Sequence, residues 1–245
     1  MTYSVFMARR RFFVESVQNG QARITGHNAH HLIHVLRAEP GQKFEICDNH
    51  DVYLAEIESA RKDLVAFTVL DRIEAPEPSV HTILLASLIK FDRFEWLVEK
   101  ATEFGVSQIV PVIAERTEKG LERAADKRLE RWKRIGREAS EQSRRARLPD
   151  IQLAIPLLSA LKSSANHRFM LDEEPGPPIL AVVPAQRSPQ DCVAILLGPE
   201  GGWTGRERAA IAECGWKAVS LGPQILRAET AAIAALAIIN AAWLS

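Results

Sequence analysis

The sequence predicts an α/β fold: a small strand-built barrel, then a larger domain of strands and helices around a mostly parallel sheet. Three observations carry this prediction. Residues before position 74 form short β-rich runs bounded by Gly, Asp and Asn, the pattern of a small β-domain. Beyond position 80, apolar runs alternate with helical patterns, the order that builds a parallel sheet covered by helices. Between them lies Glu74-Ala-Pro-Glu-Pro-Ser79, whose two prolines and polar residues read as a linker. The expected domains are therefore residues 1–73 and 80–245.

In the first part the expected strands are residues 10–14, 42–47, 53–57 and 64–69. One helical pattern interrupts them at 30–37, with Leu32, Val35 and Leu36 on one face. In the second part the apolar run at 82–86 opens the parallel sheet. Asp92 is placed to cap the next helix, with Glu95 completing an acidic variant of the capping box, and Gly105 stops it. Strands are expected at 108–113, 168–171, 193–197 and 217–221. Thr204 and Glu207 have capping-box spacing for a helix that ends near Gly215. An Ala-rich helix closes the sequence.

The 245 residues comprise 47% hydrophobic and 25% charged residues, which excludes a disordered chain, a collagen-like chain and a disulfide scaffold. Three cysteines at wide spacing, with no CxxC, suit a reducing cytosol rather than a disulfide framework or a zinc site. The first charges follow a short apolar stretch instead of preceding it, the reverse of a signal peptide. The most apolar segment, 231–244, is broken by Asn240 and is shorter than the roughly 20 residues of a membrane span. A cytoplasmic protein without metal is expected.

Lys+Arg and Asp+Glu both number 31, a net charge of zero, which taken alone argues against a nucleic-acid partner. The charge is unevenly placed, however. Residues 116–147 hold twelve basic and six acidic side chains, a local +6 that the rest of the chain balances. That stretch reads either as a solvated helix face with pairs such as Glu130–Arg134 or as a phosphate-tracking surface. Arg9, Arg10 and Arg11, followed by Phe12 and Phe13, form a second basic cluster.

Two segments can carry chemistry. Leu197-Gly-Pro-Glu-Gly-Gly202 follows an apolar strand and precedes the Thr204 helix, so its glycines let a ligand approach the backbone closely. It matches neither the dinucleotide fingerprint nor the P-loop. Leu221-Gly-Pro-Gln-Ile-Leu-Arg-Ala-Glu-Thr230 again ends a strand in Gly-Pro, and it sets Arg227 and Glu229 at the opening of an apolar helix. A cation at that end is electrostatically unfavourable, so Glu229 or an anionic ligand must compensate it. Ligands bind open α/β sheets at this edge. His30, His31 and His34 lack the accompanying ligands of a metal site and read as surface or packing residues.

In order, these segments resemble the RsmE-type enzymes, SPOUT-class methyltransferases that act on N3 of a uridine in 16S ribosomal RNA. The matching pieces are Arg10-Arg-Phe-Phe-Val14, His30-His-Leu-Ile-His-Val-Leu-Arg37, Asp92-Arg-Phe-Glu-Trp-Leu-Val-Glu-Lys-Ala-Thr-Glu-Phe-Gly-Val106, Arg131-Trp-Lys-Arg-Ile135 and Glu138-Ala-Ser-Glu-Gln-Ser-Arg144 with Pro149, then Gly198-Pro-Glu-Gly-Gly202, Leu221-Gly222 and Ile225-Leu-Arg-Ala-Glu-Thr-Ala231. Ala228 and Phe104 stand where the family often has Thr and Leu. The resemblance implies a PUA-like RNA-binding barrel and a SPOUT domain with a C-terminal trefoil knot, where the residues alone suggest an unknotted Rossmann-like sheet. It also implies a homodimer, S-adenosylmethionine as cofactor, and the small ribosomal subunit as partner. Carried over, the cofactor residues are Leu171, Leu197, Gly198, Pro199, Glu200, Gly201, Gly202, Leu221, Gly222, Ile225, Leu226 and Arg227. RNA would rest on Arg9, Arg10, Arg11, Arg37, Arg144, Arg145 and Arg147.

Methylation at uracil N3 requires loss of its proton, and a cation beside the base favours the anion. Arg227 is the first candidate for that role. Glu200 and Glu229 are candidates for the proton acceptor or for partners of Arg227. Two rivals are a non-catalytic RNA-binding protein and a nucleotide-dependent oxidoreductase. The intact glycine turns weigh against the first, and the missing dinucleotide fingerprint against the second.

Overall fold

The chain buries strands in two different ways, and each way makes one unit. The structure is a computed structural model and describes residues 11–75 and 78–244. Its first unit contains the described residues up to 75 together with Ser140–Leu148, a segment that the sequence assigns to the second domain. The second unit contains Pro78–Ala139 and the residues from Pro149 onward.

The first unit holds β1 (Arg11–Phe13), β2 (Val17–Gln18), β3 (Gln21–Thr25), β4 (Lys43–Cys47), β5 (Val52–Arg61) and β6 (Leu64–Ile73). They form one sheet in the order β1-β4-β5-β6-β3-β2, antiparallel except for the β1–β4 pair. Phe12, Leu32, Ile46, Ile57, Val65 and Phe67 fill its core. The β2–β3 hairpin turns through Asn19 and Gly20, both at positive φ, as a tight two-residue hairpin turn demands. The expected helix at 30–37 is displaced. Helix α1 occupies Gly26–His30, and a π-helical turn follows at His31–Val35. The Leu36 N–H bonds to the His31 carbonyl, five residues back, so the apolar positions no longer share a face. Leu32 is buried while Val35 is 62% exposed.

The second unit is built on β7 (His81–Ser87), β8 (Gln108–Ile113), β9 (Asp150–Ile151), β10 (Ile155–Pro156), β11 (His167–Leu171), β12 (Cys192–Leu197) and β13 (Lys217–Val219). Every pairing is parallel, in the order β10-β8-β7-β12-β11-β13 with β9 beside β8. The helices are α2 (Phe91–Glu103), α3 (Leu121–Ala125), α4 (Leu129–Gln142), α5 (Leu157–Ala160), α6 (Ile179–Val182), α7 (Gly205–Glu213) and α8 (Ala228–Trp243).

The alternation of side chains along a strand divides this unit's core. Val193, Ile195 and Leu197 of β12 pack with Phe94 and Leu97 of α2 and Leu236 and Ile239 of α8. Ala194 and Leu196 pack in a second cluster with Leu157 of α5, Ile211 of α7, Trp203 and Trp216. A strand buried on both faces reads as a continuous apolar run, which is why β7, β8 and β12 are evident in the sequence.

Helix ends are decided by local chemistry. Gly105 (φ +82°) and Gly215 (φ +77°) follow the ends of α2 and α7, in the left-handed conformation that terminates helices. Thr204 and Glu207 make the expected reciprocal capping box. Asp92 does not cap α2, because the helix starts earlier, with Lys90 at the N-cap. Phe91 thereby packs against the buried core, 6.1 Å from the Trp132 ring. Asp92 still complements the helix dipole from the first turn, and Glu95 instead binds Arg128 and Arg131.

Candidate active site at the carboxyl edge of the parallel sheet

The two Gly-Pro turns follow β12 and β13, and strand β11 runs between those strands. All three carboxyl ends therefore meet at one edge, where helix N-termini and free backbone groups are available to a ligand. A cavity of about 370 Å³ opens there, a size suited to a small-molecule ligand. One wall is Leu171, Asp172 and Glu173, a second is the turn from Leu197 to Trp203, and the third runs from Leu221 to Arg227 with Ala228 and Ala231 of α8.

The turns hold their shape through glycine. Gly222 lies at φ +135°, a conformation that other residues rarely adopt. A Cβ at Gly198 would lie 3.0 Å from the Trp203 indole. That indole donates from Nε1 to the Leu171 carbonyl at 3.1 Å, so Trp203 ties the β12 turn to the end of β11. Arg208 of α7 fastens the same two walls. It is bidentate to Asp172 at 2.8 and 2.9 Å and donates to the Trp203 carbonyl at 2.7 Å. Burial raises the Asp172 carboxyl, but the hydrogen bonds and charge of Arg208, with two backbone N–H groups, outweigh it and hold the group below its ordinary value.

The structure brings all but one of the expected cofactor residues to this cavity. Gly201 faces away. Arg116 packs over it and donates to its carbonyl at 2.7 Å. Arg227 is the N-cap of α8, exposed, with extended backbone angles. Glu200 lines the cavity and forms an ion pair with Arg93, which lines it too. Glu229 is separated from them. It is 8% exposed on the packed side of α8 and absent from the cavity wall, and its Oε2 has no hydrogen-bond partner among the described residues. The sequence reading did not find Arg93, Asp172, Glu173 or Trp203. Trp203 carries the one legible signal, a large aromatic directly after the glycine turn.

The expected RNA residues divide similarly. Arg9 and Arg10 lie outside the described residues. Arg11 is a correction: it is only 4% exposed, sits opposite Glu45 in the β1–β4 register, and binds its carboxylate at 3.0 and 3.2 Å. Its guanidinium is satisfied inside the fold rather than offered to a phosphate. Arg144 pairs with the same Glu45 and lies at φ +57°. Burial lowers the Arg145 guanidinium to about 10, so this side chain too is partly withdrawn. Arg37 and Arg147 are exposed. Among the described residues no group of three or more His, Cys, Asp or Glu is placed to hold a metal ion.

A parallel α/β sheet whose glycine turns enclose a ligand cavity, preceded by a β-unit, has counterparts among known proteins. A family model described as an RNA methyltransferase domain matches residues 76–240, and one described as an RNA methyltransferase PUA domain matches residues 24–70. The chain belongs to this family of RNA methyltransferases, and within it to the ribosomal RNA small subunit methyltransferase E group. A relative of that name from Bacillus subtilis (strain 168) is 33% identical over 89% of this chain and 88% of its own length. Another of that name from Synechocystis sp. is 32% identical over 97% of this chain and 79% of its own length. A Neisseria gonorrhoeae structure of the same name, bound to S-adenosyl methionine, superposes with a TM-score of 0.86 at 29% identity, covering 96% of this chain and 98% of that one.

Proposed function

We propose that this chain transfers a methyl group from S-adenosylmethionine to N3 of a specific uridine in the 16S RNA of the small ribosomal subunit. One observation carries the reading: both glycine turns and Arg227 converge on a single cavity at the sheet edge. The lining suits the cofactor. Leu197, Leu221, Ile225 and Leu226 would offer apolar surface to an adenine ring, and the Glu173 carboxylate on the wall would suit a cationic ligand. When bound, S-adenosylmethionine supplies an electrophilic methyl group that leaves its sulfur as the new carbon–nitrogen bond forms.

The protein's residues do the remaining work. Arg227, at the cavity wall, stabilises the negative charge that uracil acquires as N3 loses its proton. Glu200, a carboxylate on the same cavity wall, accepts that proton, and Glu229 stands buried outside the cavity. Arg37, Arg144 and Arg147, with Arg9 and Arg10, position the RNA backbone without reading its bases. The resemblance adds a PUA-like barrel, a trefoil knot around the cofactor turns, a homodimer with its active site at the interface, and a cytoplasmic location. Exposed Ile225 (82%) and Leu226 at the cavity mouth support such an interface. Incubating 30S particles with the protein and radiolabelled cofactor tests the reading. Label appearing as N3-methyluridine is expected, and label absent or on another nucleoside refutes it.

A further inference from the structure

We infer that Arg208 is a positioning residue for the cofactor cavity, fixing the segment after β11 against the turn after β12 so that the two walls keep the spacing S-adenosylmethionine requires. The inference rests on the cofactor reading above and assigns a role to a side chain outside the cavity lining. Asp172 and Glu173, just beyond β11, line the cavity, as does Trp203, at the end of the β12 turn. Arg208 engages both. Nε and Nη2 grip the Asp172 carboxylate, and Nη1 donates to the Trp203 carbonyl. Nη1 also lies 3.2 Å from Glu174 Oε1, and Nη2 lies 3.9 Å from Glu173 Oε1.

A planar fork with donors on three nitrogens can hold a carboxylate in two bonds and still reach a carbonyl beyond it; a lysine ammonium cannot. The arrangement is buried enough to matter. The Asp172 side chain is 7% exposed and that of Arg208 21%, so solvent screens the pair weakly. Without Arg208, the successive acidic residues Asp172, Glu173 and Glu174 would lose the cation they share. Beyond the β11–β12 strand pairing, the Trp203–Leu171 bond would then be the remaining side-chain tie described between the two walls. Arg208 lies outside the cavity lining, so its effect is expected in cofactor affinity rather than in the chemical step.

Calorimetric titration of full-length R208M and R208K with S-adenosylmethionine and with S-adenosylhomocysteine tests this, alongside hydrogen exchange at residues 172–176 and steady-state kinetics. The expected result for R208M is a Kd raised about tenfold for both ligands, the cost of ordering a wall that is no longer preorganised. KM for the cofactor should rise, with kcat at saturation within about twofold of wild type. R208K should fall between, and exchange at 172–176 should quicken in the ligand-free variants. If R208M does not fold, R208K decides alone. Wild-type affinity in a folded variant, even one with a lower Tm, overturns the inference, as does a fall in kcat with KM unchanged. A wild-type chain that binds neither ligand instead overturns the cofactor reading itself.

Discussion

Arg227 and Glu200 reach the same cavity from different turns, whereas Glu229 does not reach it at all. The three are therefore expected to behave differently on substitution. R227A should fold and bind cofactor but lose roughly 100-fold in single-turnover methyl transfer, the usual cost of removing one group that stabilises developing negative charge. An unchanged rate would remove Arg227 from the chemistry. E200Q should slow single-turnover methyl transfer, as the proposed role of proton acceptor requires; E229Q should leave that rate in place and act on stability. At Gly222 the φ of +135° makes G222A destabilising by more than about 1 kcal/mol, measurable in urea. The motif residues were legible because the glycine turns carry their signal locally. Arg93, Asp172 and Arg208 were not, because each acquires its role from a partner distant in sequence: Glu200 for the first, and one another for the last two. Arg11 shows the converse. Its neighbours in sequence suggest a basic patch, yet strand pairing sets it opposite Glu45.

Among the elements, those with a strong local cause match the sequence reading and the others do not. The Thr204 capping box is visible in four residues, and T204A should cost about 1 kcal/mol of stability. β12 is visible because both its faces are buried. The β2–β3 hairpin is not evident in the apolar pattern, although Asn19-Gly20 is a strong hairpin signal, because β3 alternates only Ala22 and Ile24 with polar residues. α3, α5 and α6 span four or five residues each, too short for helical periodicity to register. The link between β11 and α7 predicts a pH dependence. Asp172 has its carboxyl held below the ordinary value in the folded state. Its contribution to stability is therefore complete above the unfolded value near 4 and is lost as pH falls further. The stability gap between wild type and D172N should be constant near neutrality and close below about pH 4 in acid-unfolding curves.

For the whole molecule, net charge proves a poor guide to the partner. The zero total conceals a basic stretch at 116–147, and the structure then sorts those charges. Arg131 binds Glu95, Arg116 braces Gly201 and Arg144 joins Glu45; all three stay exposed, as do Arg147 and, outside that stretch, Arg37. Charge reversal at Arg37 and Arg147 together should weaken RNA binding and flatten its dependence on salt, since each phosphate contact contributes counterion release. An unchanged slope would remove both from the interface. The division into units was only partly legible. The Pro-rich linker marks one boundary, but no feature of composition reveals that Ser140–Leu148 returns to the first unit, where Cys47 donates to the Ala146 carbonyl and Leu148 binds Asn49. The central claim is that one cavity on this fold methylates a ribosomal uridine. Mass-spectrometric mapping of 16S RNA from cells with and without the protein tests it most directly. The account predicts N3-methyluridine at a single position that disappears with the protein and returns with the wild type but not with R227A. An unaltered modification map in the absence of the protein would contradict it.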